Sequence, residues 1–508
     1  MRPAKLVALL LSMLVLAAGL AGCGGSDGEA GSALDAGLSY LSKDAPFAVA
    51  IDTDVEGDLY KALSAIIDKF PFGDQVKDSI KQQIERSQNG VSFDKDIKPM
   101  LGNPFVVGGV DARSLVSGGT GSQFVGAIRS KDKDKLEALV DKSKAKEDGE
   151  KSGAKIYTDG DGDAFAIKDD TLVVAGSRKL LENALEQSEG DDHLDEETFN
   201  EGLEGLPENA LVRVYADIER LLASSSGGRQ ARKIKWVGAL RTAGLTAGAR
   251  KNSIDVDFNL RTDSGSLREQ DLPIAPGEDS PGVVERPGEI GIGVRNASQI
   301  VRFAEAALQA VDPSSSGDFQ AGKRQIEQAL KVDVDRDVVA QLTGELSVNI
   351  ALNGKFGVRA ELKDPAAFER TLAKVADVLP DVAEGLTGDK VGLAKPKSGE
   401  DFYALAQPDG DSVVFGVVDD AFVLANDPAR AGLLGSASPR DVPGAKGAVV
   451  LQADAEELAN GLLKRLGPQM GLGGIFGGRL LTGPLGDLTG SIQSDTDGMR
   501  GKFRLEIE

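Results

Sequence analysis

Along this chain, segments in which apolar and polar residues alternate, as in a strand, are followed by segments with the apolar spacing of an amphipathic helix. Phe47, Val49 and Ile51 alternate with small or polar residues and predict a strand. An amphipathic helical pattern then runs from 59 to about 86. Strands are predicted at 104–110, 123–128, 154–158, 163–167, 172–175, 211–215 and 254–261, with helices at 133–142 and 179–187. Strands that form meanders interrupted by helices predict an α+β fold: a twisted, mostly antiparallel β-sheet with helices packed on one face.

The pattern occurs twice. The segment 46–51 reads like 287–292, Phe124 matches Phe356, 169–175 matches 419–425, and 216–219 matches 453–456. The matches keep their order, which indicates an internal duplication. We predict two homologous halves, α+β repeat 1 at 38–263 and α+β repeat 2 at 284–508. A linker at 264–283 separates them, because that segment is rich in Pro, Gly, Ser and acidic residues.

The beginning of the chain predicts a lipid anchor. Two cations precede an apolar run at 6–16 that is too short to span a bilayer. Leu20, Ala21 and Gly22 then precede Cys23, the only cysteine. This pattern is typical of a bacterial lipobox, in which 1–22 is a lipoprotein signal peptide and Cys23 carries diacylglycerol. Two acyl chains give stable anchoring where one is marginal. Residues 23–37 then form the lipidated end and a flexible tether.

Charge narrows the set of partners. The chain has 58 Lys and Arg against 80 Asp and Glu, a net charge of −22. Such an acidic surface argues against nucleic acid as a partner. The cell membrane, held through the anchor on Cys23, and a lipid or an envelope protein remain as partners.

Common catalytic machinery is missing from the sequence. His193 is the only histidine, which excludes any site that needs two, and Cys23 is used by the anchor. The sequence contains no phosphate-binding or dinucleotide-binding glycine motif. We therefore predict a protein that is not an enzyme and has no cofactor, although 80 acidic residues leave room for a carboxylate pair.

Asp159, Asp161 and Asp163 resemble the start of a calcium loop. The sixth position is Ala164 and the twelfth is Asp170, where that loop has Gly and Glu. A hairpin turn is the stronger interpretation, a weak metal site the other.

A cationic segment stands out in the acidic chain. Arg232, Lys233 and Lys235 surround Trp236, the only tryptophan. The matching place in the second half is glycine-rich and carries Met470, Ile475, Phe476 and Leu480. One interpretation is a pair of flaps that touch a membrane or cover a ligand. The alternative is a helix packed on the sheet and a loop.

One family resemblance covers most of the chain after the signal peptide. The residues LSYLSKDAPF at 38–47, the motif Asp52-Thr53-Asp54 and the segment 413–434 resemble an actinobacterial secreted lipoprotein family, domain of unknown function 3352. The resemblance implies no established activity and no catalytic residues. Gly24 and Gly25 after the lipobox cysteine carry no acidic sorting residue, which favours a location on the outer face of the bacterial cell membrane.

We therefore expect a membrane-anchored, extracytoplasmic, non-enzymatic lipoprotein of the cell envelope. It would bind a hydrophobic or amphiphilic ligand, or an envelope partner. The alternatives are a structural spacer module and, third, a carboxylate-based hydrolase.

Overall fold

The structure, a computed structural model, describes residues 30–87, 91–110, 123–143, 145–158, 164–387, 392–396, 401–406, 412–466 and 482–508. These residues form two compact units. Unit 1 contains the chain up to Gln230, Leu240–Arg261 and the last two residues. Unit 2 contains Ala231–Ala239 and Thr262–Glu506.

Unit 1 is built on one sheet, and the register of its strands is antiparallel. The order across the sheet is β10-β9-β8-β1-β2-β3-β7-β6-β5-β4. The strands are β1 Phe47–Ile51, β2 Phe105–Gly109, β3 Phe124–Arg129, β4 Lys146–Lys151, β5 Ala154–Thr158, β6 Ala164–Lys168, β7 Thr171–Ala175, β8 Val212–Asp217, β9 Leu240–Arg250 and β10 Ser253–Thr262.

The α-helices that begin in unit 1 are α1 Ala30–Leu38, α2 Asp58–Asp68, α3 Gly73–Ser87, α4 Lys133–Ser143, α5 Arg178–Gln187, α6 Glu196–Gly202, α7 Ile218–Ser224 and α8 Ser226–Ala231. A single π-helical turn, Phe93–Ile97, and a 3₁₀ turn, Lys98–Met100, precede β2.

Helices cover both faces of the central strands of unit 1, and the expectation of one covered face is wrong. Val106 packs with Leu34 and Leu38 of α1 on one face. Its neighbour Phe105 packs with Leu136 of α4 on the other. Successive side chains of a strand point to opposite faces, so both faces need an apolar cover here. This is why all five residues of β7 are buried.

Unit 2 is also built on a sheet. Its order is β20-β19-β18-β11-β12-β13-β17-β16-β15-β14. The strands are β11 Glu289–Arg295, β12 Glu345–Ala351, β13 Phe356–Glu361, β14 Gly392–Ala394, β15 Phe402–Ala406, β16 Ser412–Val418, β17 Ala421–Ala425, β18 Val449–Asp454, β19 Leu485–Asp495 and β20 Gly498–Ile507. The α-helices are α9 Lys235–Ala239, α10 Ala297–Val311, α11 Pro313–Leu330, α12 Val334–Asp337, α13 Pro365–Thr387, α14 Pro428–Gly435 and α15 Ala455–Leu466, with 3₁₀ turns at Ser264–Ser266, Glu269–Asp271 and Val339–Gln341.

A buried ion pair lies in unit 2. Arg430 of α14 donates two hydrogen bonds, of 2.9 and 2.7 Å, to the carboxylate of Glu289 at the start of β11. Their side chains are only 6% and 7% exposed. Arg286 adds a third contact to Glu289, at 3.2 Å. A bidentate guanidinium–carboxylate pair fixes the orientation of both side chains.

The two units share one strand order, each strand of unit 2 carrying a number higher by ten. This confirms the α+β class and is the arrangement that a duplication would produce, although common ancestry stays a prediction. The pairings correct one detail. Ala48 pairs with Tyr215, and Gly291 pairs with Gln452. The sequence match of 216–219 with 453–456 makes Tyr215 correspond to Gln452. Ala48 therefore corresponds to Gly291, which is two residues later in the chain than the match of 46–51 with 287–292 predicts.

The hairpin predicted at Asp169-Asp170, and its match at Asp419-Asp420, is confirmed. Lys168 pairs with Thr171, and Val418 pairs with Ala421, so two residues connect the strands in each case. Asp169 and Asp419 have φ values of 56° and 52°. Asp tolerates this left-handed region better than most residues, which explains its place in both turns.

Two segments expected to be loose are packed. In the predicted tether, 30–37 belongs to α1, and Leu34 is fully buried. In the predicted linker, Leu272 and Val283 are fully buried, and the segment belongs to unit 2. Composition alone predicts chain mobility here, but scattered apolar residues provide contacts that order the chain.

Candidate functional site: a polar cleft in unit 1

A cleft of about 620 Å³ opens in unit 1 where β1 ends. Its walls come from the residues after β1, the start of α2, the turn before β2, the residue after β3 and the start of β8. Both signs of charge line it. The charged residues are Asp52, Asp54, Asp58, Lys131, Glu208 and Arg213.

Hydrogen bonds fix the wall that follows β1. The hydroxyl of Thr53, 1% exposed, donates to the carbonyl of Asn103 at 2.6 Å. The same oxygen accepts the N–H of Gly102 at 2.9 Å. The amide of Asn103 donates to the carbonyl of Arg129 at 2.9 Å. Three connections are therefore held together by side-chain to backbone bonds, and the cleft is preorganised.

Asp52 lines the cleft and is held by the buried Tyr60. One carboxylate oxygen of Asp52 accepts the N–H of Asp54 at 2.8 Å, and the Tyr60 hydroxyl donates to the Asp52 carbonyl. Burial raises the pKa of Asp52 above its ordinary value and is the largest effect. The hydrogen bond from the Asp54 N–H lowers this pKa, the charge of Asp54 raises it, and the charges of Arg213 and Lys131 lower it. Burial also raises the pKa of Tyr60. The cleft is therefore a site where charge is costly unless it is paired.

Arg213 is the most unusual group of the cleft. Its guanidinium lies over the ring of Phe199, 5.7 Å from the centroid. Burial lowers its pKa, while Glu196, Asp52 and Glu208 act electrostatically in the other direction. Throughout the part of the chain that the structure describes, Arg213 makes no ion pair and no side-chain hydrogen bond. A guanidinium has five N–H donors, and a half-buried one without acceptors is exceptional.

Lys131 is the second cation of the cleft. Its side chain lies along Gly102, in the space where a side chain at that position would be. Lys131 has no ion pair with any described residue. In a chain of net charge −22, two cations without partners in one cleft indicate a place for acceptors from outside.

Unit 2 has a cleft of its own at the other end of its central strands, with a volume of about 1090 Å³. It is lined by Leu352, Asn353, Glu456, Glu457 and Lys464, among others. Of its acidic groups, Glu456 and Glu457 belong to the first turn of α15, where negative charge stabilises a helix, and Asp454 accepts the N–H of Glu457 at 2.9 Å. A structural role therefore accounts for these carboxylates.

Most of the residues predicted from sequence to form sites lie outside the described residues. These are Leu20, Ala21, Gly22 and Cys23 of the lipobox, Asp159, Asp161 and Asp163, and Met470, Ile475, Phe476 and Leu480 of the second flap. Thr158 and Ala164 pair across β5 and β6, as the hairpin interpretation requires. Among the described residues no group of His, Cys, Asp and Glu is arranged to hold a metal ion.

The cationic segment of the first flap is described, and its central residue is packed inward. Trp236 lies in α9 and is 8% exposed, and its indole N–H has no acceptor among the described residues. Lys235 forms an ion pair with Asp271, while Lys233 is exposed and Arg232 is partly buried. A flap that touches a membrane needs an exposed tryptophan. The structure supports the alternative, a short packed helix, and β9 begins directly after it.

Sequence reasoning did not single out the cleft. Its residues come from five separate places in the chain, and no spacing links them. Two local signals were present. Asp52-Thr53-Asp54 ends an apolar strand abruptly, and Arg213 interrupts the apolar run 211–215. A charged residue inside a strand pattern is the signal that finds such a site.

Comparison with known proteins gives a family but no activity. No curated protein matches the chain. Crystal forms III, IV and I of TP0453 align at 12%, 14% and 14% identity, each with a TM-score of 0.24. These alignments cover 46%, 44% and 46% of this chain and 82%, 80% and 80% of those chains. No helix among the described residues is long and apolar enough to cross a membrane. A family model, "Protein of unknown function (DUF3352)", matches residues 6–381, and the chain therefore belongs to the DUF3352 family.

Proposed function

We propose that this chain is a cell-envelope lipoprotein, anchored through Cys23 to the outer face of the membrane, that works by binding a polar partner in the cleft of unit 1. The observation that carries the proposal is Arg213, a half-buried guanidinium without an acceptor among the described residues. A protein retains such a group at a cost in stability when a ligand supplies the missing acceptors.

The filled core of unit 1 favours a polar partner over a hydrophobic ligand. Two apolar clusters, one on each face of the sheet, occupy the space between strands and helices. Acyl chains need an apolar cavity, whereas the cleft at the end of β1 is lined by four carboxylates and two cations. Of the two partners predicted from sequence, the envelope partner is the better supported.

Photo-crosslinking in living cells tests this proposal. The full chain, carrying p-benzoylphenylalanine in place of Leu59 at the cleft, would be expressed in the bacterium that encodes it. The matched control carries the same residue in place of Leu462, an exposed leucine of unit 2. We expect an adduct from position 59 that is absent from position 462 and is lost with Arg213→Met. An adduct that survives Arg213→Met, or no adduct, would refute binding in the cleft.

One observation favours a second candidate, carboxylate-based hydrolysis. Burial raises the pKa of Asp52, as a general acid requires, and Asp54 and Asp58 line the same cleft. The purified chain would be assayed on a panel of nitrophenyl glycosides and esters, with Asp52→Asn as the control. Hydrolysis that Asp52→Asn abolishes would establish this candidate, and equal rates for both proteins would eliminate it.

A further inference from the structure

We infer that the cleft of unit 1 is a groove for a proline-containing peptide segment of a partner protein, and this inference rests on the function proposed above. Unit 2 shows what such a groove holds. At the corresponding corner of its sheet, the chain places its own residues 275–282, with the sequence APGEDSPG.

The correspondence follows from the strand pairings given above. Four residues that line the cleft of unit 1 have a counterpart that contacts the segment 275–282 in unit 2. The counterparts are Arg295 for Asp52, Glu345 for Pro104, Ala445 for Glu208 and Gly447 for Ala210. The cleft and the filled corner are therefore the same place in the shared strand order.

A guanidinium holds the segment in unit 2. Arg295, the last residue of β11, donates to the carbonyls of Ala275 at 3.2 Å, Pro276 at 2.5 Å, Gly277 at 3.1 Å and Asp279 at 2.6 Å. Each acceptor is a backbone carbonyl. The corner thus recognises main chain through a cation, a mode that tolerates many side chains.

Further polar contacts hold the segment 275–282 at this corner of the sheet. The Ser280 hydroxyl donates to the carbonyl of Ala445 at 3.2 Å and accepts the N–H of Gly447 at 3.1 Å. The N–H of Gly282 donates to the carboxylate of Glu345 at 3.0 Å. This corner therefore offers donors and acceptors together, as the mixed charges of the unit 1 cleft do.

The chain that precedes β1 explains why the groove of unit 1 is open. In both units the entering chain makes a β-bridge, Ser42 with His193 and Val283 with Arg440. Upstream of the bridge the two units differ. Unit 2 places 275–282 in the corner, whereas unit 1 folds the preceding residues into α1, whose Leu34 and Leu38 are buried in the core.

The lining of the open groove sets the chemistry of its occupant. Arg213 and Lys131 offer donors to carbonyls or to a carboxylate, and Asp52 and Asp54 offer acceptors to N–H groups. Pro276 and Pro281 each fix one φ of the segment in unit 2, which belongs to no helix or strand. The chain turns at Gly277, whose φ is 110°, so that several carbonyls face one guanidinium. Gly293 leaves room for Gly282 there, and the methyl group of Ala50 at the matching place makes the groove of unit 1 shallower. We therefore assign to the groove a proline-containing peptide that forms neither a helix nor a strand.

A peptide array tests the inference. The probe is a set of octapeptides with proline at positions 2 and 7, as in 275–282, and random residues elsewhere. The full chain in detergent is applied, with Arg213→Met and Lys131→Met as cleft variants and Arg178→Met as a control. Arg178 is a partly exposed arginine of the same unit, and it does not line the cleft. Circular dichroism confirms that each variant is folded.

We expect the wild-type chain and Arg178→Met to retain the same peptides. Each cleft variant should bind them at least tenfold more weakly. No retained peptide, or equal retention by Arg213→Met, would overturn the inference. The crosslink at position 59 distinguishes the proposal that the cleft binds a partner from the inference that this partner is a peptide. An Arg213-dependent adduct with a sugar or another small molecule would support the cleft as a binding site and overturn the peptide.

Discussion

Two arginine-to-methionine substitutions should change the free energy of unfolding by very different amounts, because one breaks a buried ion pair and the other does not. Arg430→Met leaves the Glu289 carboxylate, 7% exposed, without its bidentate partner. Removal of one member of a buried pair costs about 3–5 kcal/mol. Arg213→Met breaks no ion pair among the described residues. It loses the contact with the Phe199 ring, about 0.5–2 kcal/mol, and removes the cost of burying a guanidinium. We expect a net change within about 1 kcal/mol.

Urea denaturation measures both effects. With a slope of about 3 kcal/mol per molar, Arg430→Met should lower the midpoint by about 1–1.7 M. Trp236 belongs to unit 2, so its fluorescence reports the transition of the unit that contains Arg430. Far-UV circular dichroism follows unit 1 as well.

A double variant supplies the control for this comparison. Glu289→Leu combined with Arg430→Met should recover most of the loss, because an apolar pair can replace a buried ion pair. A loss for Arg213→Met as large as that for Arg430→Met would refute the reasoning. Arg213 would then be a structural residue, and the case for a ligand in the cleft would lose its basis.

Three further outcomes are expected. Burial raises the folded-state pKa of Asp52 above its ordinary 3.8, so the ionised carboxylate destabilises the fold at neutral pH. This loss of stability disappears as the pH falls through the raised pKa toward 3.8, because the carboxyl group is then protonated. Asp52→Asn should therefore raise the urea midpoint at pH 7 and raise it less at pH 4; an equal gain at both would contradict the assignment. Cys23→Ala should move the chain from the detergent phase to the aqueous phase in Triton X-114 partition, and an unchanged distribution would argue against the lipid anchor. Leu34→Ala should cost about 2–5 kcal/mol in thermal unfolding because α1 is packed, whereas a true tether would show no change.

Sequence patterns predicted the buried strands well because their apolar residues alternate or form short runs. The strands and helices at 154–158, 172–175 and 179–187 were placed within a residue or two. Two strands were missed for physical reasons. β4 reads KEDGEK and is almost wholly exposed, so it carries no apolar signal. The charges that hide it also protect a sheet edge from pairing with other chains. β9 is rich in Gly, Ala and Thr, and its small residues resemble a loop.

The cleft was beyond sequence reasoning for a different reason. Thr53 donates a hydrogen bond to Asn103, which is 50 residues later in the chain. Arg213 belongs to β8, which is more distant still in sequence. Only the strand order brings them together. The anchor is the reverse case, since Leu20 to Cys23 is a contiguous motif that needs no fold to be recognised.

The central position of β1 also constrains the order in which the chain can fold. β1 is the first strand of the sheet, yet it pairs with both β2 and β8, and Ala48 meets Tyr215. A chain that emerges from its N-terminus must therefore keep one edge of the strand Phe47–Ile51 unpaired until residues near 217 have emerged. Pairings between distant residues fold slowly, and an apolar strand with an open edge attracts other chains. The same constraint applies in unit 2, because one edge of β11 stays unpaired until β18 has emerged. We therefore expect the biogenesis of this protein to need a chaperone that shields the open edges of β1 and β11.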